Sequence, residues 1–361
     1  MGNSAGKMPD FKERNRTGAA AALGVTYAVC QIPTYKDEDR FDVSFGSFHS
    51  GTIHEKMPDR LSSLDRRDTV ACFGIYDGHG GSEVARLCSQ SLVASIIRRS
   101  AKRKRLARRT IDEQASSQEE EEEAIPDECI GAAYHEADSI SKTLYKHAGA
   151  TAINLFVSNN EDGSRSVKCA WAGDSRASLH THAFSLSSRR TKNFRKSSYI
   201  SFDHDPTRED ERERIKEHNK IYNDAYIRKR TSPQGDIGPD AIFRIPKGSE
   251  QNNPYNISIM MSRSIGDYYH SSAVISAPET TTFTVQKDES VRIVLASDGL
   301  WRTMKKRCVG SVMKRGSKDT IMQTAKRLAF ESFRRTQRNQ YLRQDDITVI
   351  VVDVHGANVD I

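Results

Sequence analysis

A chain of 361 residues, 36% of them hydrophobic, can bury one large core or two smaller ones. No apolar stretch approaches the ~18 residues of a membrane span and the N-terminus lacks the apolar segment of a secretory signal, so an intracellular protein of cytoplasm or nucleus is expected. The net charge of +7 is concentrated in a basic block with no interleaved aromatic residues, which argues against base stacking, and no nucleic-acid partner is expected.

Residues 1–21 read as a polar tail, and β-type segments begin with Gly24–Val29 and Thr69–Phe73. After Gly81, apolar residues at Val84, Leu87, Cys88, Leu92, Ile96 and Ile97 repeat at helical spacing. The basic block Arg98–Arg109 and the acidic run Glu119–Glu123 read as a solvated insertion over 98–127 that partly neutralises itself. Helical spacing returns at Ile130–Tyr145, in the charged stretch Arg208–Glu217 and at Ile321–Phe330. Two segments, Ser185–Tyr199 and Asn219–Pro254, resist regular assignment, and loops of that length usually carry function or lack order. The last strand, Asp346–Val352, is too apolar for an edge and should lie centrally. Six dispersed cysteines without a CxxC pair fit free, buried thiols rather than disulfides or zinc ligands.

Four apolar runs each deliver an aspartate beside glycine or serine: Phe73–Gly81 with Asp77, Ala170–Arg176 with Asp174, Ile259–Asp267, and Ile293–Gly299 with Asp298. Each could be a turn or a helix cap, and for Asp267 the turn reading is preferred. Several carboxylates at the ends of buried strands, however, are costly to desolvate without a compensating cation, and hard oxygen ligands suit Mg²⁺ or Mn²⁺. A metal-dependent hydrolase is the expectation that follows. Arg176 and Arg214 read as scaffold residues paired with carboxylates, and Trp171 and Trp301 as core.

The motifs DGHGG at Asp77, GDSRA at Gly173, DHDP at Asp203 with ERI at Glu213, SRSIGD at Ser262, ASDGLW at Ala296 and DDITVIVV at Asp345 occur in the order and spacing of the protein phosphatase 2C-like, metal-dependent serine/threonine phosphatases. The resemblance runs from about Leu23 to Val354. It implies an α+β fold, a two-sheet antiparallel β-sandwich flanked by helices on both sides, with a flap insertion near the active site. In those terms residues 22–356 form the catalytic domain, 183–254 the flap region and irregular insertions, and 357–361 a C-terminal tail. The implied activity is hydrolysis of phosphoserine and phosphothreonine in proteins by a water that two Mg²⁺ or Mn²⁺ ions activate; the alternative is a pseudophosphatase serving as an interaction module.

Carried over by resemblance, Asp77 bridges both ions, the Gly78 carbonyl and Glu38 complete one, and Asp298 and Asp345 hold the other. Asp39 orients the attacking water, His79 is the general acid, and Asp174 lines a third, weaker site shared with Asp298. Departures are as informative. Relatives carry a phosphate-binding arginine where this chain has Thr34, which leaves Lys36 or Arg40 to meet the phosphate. An aspartate that helps hold the third ion is replaced by Arg302, and the pair before the last strand reads Asp345-Asp346. Phosphoproteins are the expected partners. Gly2 and Lys7 match an N-myristoylation signal in part, with Gly6 where Ser or Thr belongs, so reversible membrane contact and an unmodified tail both stay open.

Overall fold

A computed structural model describes residues 13–56, 68–113, 123–182, 194–231, 237–244, 258–267, 269–270, 272–315, 319–339 and 343–359. Gly2, residues 119–122 of the acidic run and parts of the 183–254 region lie outside them. Two six-stranded sheets form the centre. The first runs in the order Arg14–Ala20, Val25–Ile32, Ile347–His355, Ser290–Ala296, Arg176–His182, Phe194–Tyr199. The second runs Glu279–Val285, Arg165–Ala172, Ala152–Asn159, Thr69–Tyr76, Arg40–Ser47, Ile53–His54. All paired strands in both sheets are antiparallel.

The period-two side-chain alternation of a strand explains the layers. Along the last strand, Ile350, Val352 and Val354 enter the core between the sheets, while Ile347, Val349 and Val351 enter a second core on the opposite face. Thr69–Tyr76 does the same, with Ala71, Phe73 and Ile75 inward and Val70, Cys72 and Tyr76 outward. Strands covered on both faces must be apolar throughout, which is why their sequences read as unbroken hydrophobic runs. The outer covers are helices. On one side lie α1 (Glu83–Glu113) and α2 (Asp127–Leu144). The helix α3 (Glu209–Tyr222) packs on a smaller sheet. On the far side, the short α4 (Asp298–Trp301) leads to α5 (Lys306–Arg315) and α6 (Ile321–Arg338), the last opened by a capping box between Thr320 and Gln323.

The structure corrects four local readings. The basic block is not a separate insertion but continues α1 as helix, where Arg99 and Arg103 pair with Glu136 and Glu128 of α2. The tail contains a strand, Arg14–Ala20, whose polar character fits its place at a sheet edge. Within Asn219–Pro254, Ala225–Thr231 and Ile237–Arg244 form an antiparallel hairpin extended by Ser258–Ile259. Within Ser185–Tyr199, Phe194–Tyr199 completes the edge of the first sheet. The central position of the last strand, the free cysteines and the buried Trp171 and Trp301 agree with expectation.

Candidate metal centre

Strand register gathers the acidic residues. Arg40 faces Tyr76, Ala152 faces Ala172, Arg176 faces Ala296, and Ala296 faces Val349. Glu38, Asp77, Asp174 and Asp298 each stand within two residues of one of these positions, and Asp345 stands two before Ile347, where the last strand begins, so they meet at one end of the sandwich. Asp174 sits where the chain crosses from one sheet to the other through Gly173, whose φ of +115° is open to glycine. A Cβ on Gly78 would lie 2.6 Å from the Glu38 carbonyl oxygen, so only glycine lets these two acidic turns touch.

Carboxylate oxygens of Asp77, Asp174 and Asp298 lie within 4.8 Å of one another. Burial, reinforced by the Asp39 and Asp298 charges, pushes the Asp77 pKa well above the ordinary range. Burial and Asp298 push Asp174 to about 7; burial pushes Asp298 to about 6 against the opposing charge of Arg302. Asp174 Oδ1 is buried without a hydrogen-bond partner among the described residues. Clustered carboxylates held towards their protonated forms, one with an orphaned oxygen, fit a divalent cation. Glu38 adds Oε2, 3.8 Å from Lys36 Nζ, while its Oε1 accepts from the Gly81 N–H at 2.9 Å.

A cleft of about 400 Å³ opens over this cluster. Its walls carry Glu38, Asp77, Asp298 and Asp345, the cations Lys36, Arg230 and Arg302, and apolar Ile259, Met260 and Met261. His79 also lines it, with Nε2 2.8 and 2.9 Å from the two oxygens of Asp267. Asp267 is buried, accepts from Ser264 Oγ, and lies 2.9 Å from His270 Nδ1. Burial alone would lower the His79 pKa; the Asp267 charge and hydrogen bond outweigh it and raise the value. Burial would likewise raise Asp267, but the His79 charge holds it far below the carboxylate range.

The turn reading of Asp267 is thus incomplete. Its φ of +58° does mark a tight turn, and the carboxylate also fixes His79. Asp39 is buried, accepts from Thr348 Oγ1 at 2.7 Å, and does not line the cleft. Burial and the Asp346 charge hold its pKa well above the usual range. Arg40 is not brought to the cleft either: Nη1 donates to the carbonyls of Asp37 at 2.8 Å and Asp39 at 2.6 Å. Arg176 pairs with Asp203 and Arg214 with Glu211, as scaffold residues do.

Several participants escaped sequence reasoning. Asp346 accepts from the backbone N–H and hydroxyl of Thr34 and from the N–H groups of Glu38, at 2.6 Å, and Asp39, at 3.1 Å. One carboxylate thereby shapes the loop that presents Glu38, and the doubled aspartate at 345–346 was its only sequence signal. Arg230 comes from the hairpin that the irregular composition concealed. His147, which stacks on Tyr269 at 4.4 Å, carried no signal.

A carboxylate-lined cleft at the end of a helix-covered double sheet is the kind of site that holds divalent cations for hydrolysis. The protein phosphatase 2C family model matches residues 43–341. "Probable protein phosphatase 2C 2" of Arabidopsis thaliana is 26% identical over 289 residues, 78% of this chain and 60% of that protein. "Protein phosphatase 2C homolog 2" of Saccharomyces cerevisiae is 24% identical over 258 residues, covering 69% of this chain and 43% of that one. The chain therefore spans about half the length of the curated relatives it matches. A phosphatase structure from a pathogenic strain of Toxoplasma gondii aligns over 97% of both chains with a TM-score of 0.60 at 16% identity, a likeness of fold. This chain belongs to the protein phosphatase 2C family. Among the described residues no helix is long and apolar enough to cross a membrane.

Proposed function

We propose that this protein hydrolyses phosphoserine and phosphothreonine in other proteins, with Mg²⁺ or Mn²⁺ held in the acidic centre. The observation that carries the reading is the half-buried Asp77–Asp174–Asp298 cluster beneath the cleft, including the orphaned Asp174 Oδ1. Two ions held by Glu38, Asp77, the Gly78 carbonyl, Asp298 and Asp345 would supply an activated water and neutralise the phosphoryl oxygens. The remaining work falls to the chain. With Nε2 occupied by Asp267, His79 has Nδ1 from which to protonate the departing seryl or threonyl oxygen, and its raised pKa favours that charged form. Asp39, which does not line the cleft, serves in this reading as a charge beside Asp77 rather than as a contact to the attacking water. Lys36 and Arg230 meet the phosphate dianion in place of the arginine absent at Thr34, whereas Arg40 is committed to its own loop.

Hydrolysis of a phosphothreonine peptide, assayed with Mn²⁺ and with EDTA, tests the reading. Turnover should need the metal and fall by several orders of magnitude in Asp77→Asn. Absent turnover by a protein that binds Mn²⁺ would replace it with the interaction-module reading.

A further inference from the structure

Arg302 stands where the acidic centre most needs a cation. It follows Asp298 by four residues, so the turn of α4 brings its side chain back over the carboxylate that opens the helix. One terminal nitrogen, Nη2, lies 2.5 Å from Asp298 Oδ2; the other, Nη1, donates to Asp345 Oδ2 at 2.7 Å. Asp345 Oδ1 meanwhile accepts from the Asp346 N–H at 3.1 Å. Both Asp345 oxygens are therefore engaged, and the guanidinium spans two carboxylates delivered by neighbouring strands. The other flank differs: Glu38 Oε2 is 3.8 Å from Lys36 Nζ, beyond hydrogen-bond length, and Asp174 Oδ1 has no partner among the described residues.

We propose that the Arg302 guanidinium is a resident cation that competes with a divalent ion for Asp298 and Asp345, so the ion drawing on that pair binds only by displacing it. The inference rests on the metal-centre reading above. A divalent ion requires direct, near-octahedral contact with carboxylate oxygens, and a fork hydrogen-bonded to the same oxygens must leave first. The ion on the Glu38–Asp77 side meets no such fork, since Lys36 Nζ stands 3.8 Å from Glu38 Oε2. The two ions thus bind in order, the Asp298–Asp345 ion second and more weakly. Displacement also frees a guanidinium in the wall of the cleft, where a phosphate dianion could take it up.

Calorimetric titration of EDTA-stripped, full-length protein with MnCl₂ tests this without measuring activity. Arg302→Met, which keeps much of the aliphatic stem, should bind the weaker Mn²⁺ about tenfold more tightly than wild type, the worth of one charge-assisted contact. Arg302→Lys keeps the charge but cannot fork across both carboxylates, and should fall between the two; it decides the matter if Arg302→Met does not fold. Arg230→Met removes a cleft cation that touches neither carboxylate and should leave Mn²⁺ affinity within about twofold. Affinities in the Arg302 variants within about twofold of wild type overturn the inference, as does equal tightening in Arg230→Met, which would point to a general field effect. Absence of any Mn²⁺ binding in wild type and variants would instead overturn the metal-centre reading beneath it.

Discussion

Replacing Asp346 with alanine tests whether one buried carboxylate holds the Thr34–Asp39 loop and, through it, Glu38. The side chain is 3% exposed and accepts four hydrogen bonds, two from Thr34 and one each from the N–H groups of Glu38 and Asp39. At roughly 1 kcal/mol net for each bond, the loss is about 4 kcal/mol. Two effects return part of it. The outer loop can rehydrate, and removing the Asp346 charge relieves Asp39, whose pKa is raised first by burial and then by that charge. A net loss of about 2–3 kcal/mol remains, enough to lower Tm by several degrees. Melting in EDTA isolates this from metal binding, and p-nitrophenyl phosphate turnover with Mn²⁺ reads the displacement of Glu38 as a higher metal requirement. Asp346→Asn keeps one carbonyl oxygen and should lie between. An Asp346→Ala protein with wild-type Tm and wild-type Mn²⁺ dependence would refute the argument.

Asp298→Asn should abolish metal-dependent turnover, measured with a phosphopeptide, and retained activity would remove Asp298 from the centre. In EDTA the protein should lose stability as pH rises from about 4 to about 7. Asp174 and Asp298 have folded pKa values of about 7 and about 6, above the unfolded aspartate value, so the folded state binds more protons in that window and stability falls as they leave. Added Mn²⁺ should flatten this slope; a Tm that rises over the same window refutes the assignment. Asp267→Asn removes the charge that raises the His79 pKa, so the alkaline limb of the kcat profile should move to lower pH, while His79→Ala should slow alkyl phosphoesters far more than aryl esters. Unmoved profiles and equal losses would make His79 structural. Thr34→Arg should lower KM for phosphopeptides by roughly tenfold while costing the hydroxyl bond to Asp346; an unchanged KM would show that Lys36 and Arg230 already suffice.

Much of this molecule was legible in one dimension. Buried strands announce themselves because both faces are covered: Ile347–His355 has no polar face to alternate with, and neither does Thr69–Tyr76. The carboxylates at their ends stood out because aspartate beside glycine is dispensable to an apolar strand, and the motif order supplied the family. What depended on folding was partnership. Asp267 resembled a turn former because its cleft partner His79 lies 188 residues away, while of its histidine partners only His270 is near it in the chain. Asp346 reaches Thr34 across 312 residues, and no local pattern marks a residue whose hydrogen bonds are made at that separation. The hairpin bearing Arg230 was hidden by charged and turn-forming residues that only a surface strand tolerates. Arg302 reads in sequence as a lost aspartate; only the meeting of two strand ends makes it a cation shared by Asp298 and Asp345. Sequence determined which groups were available and in what order, because composition and periodicity are local. Tertiary structure decided which charges face one another, because electrostatics acts through space.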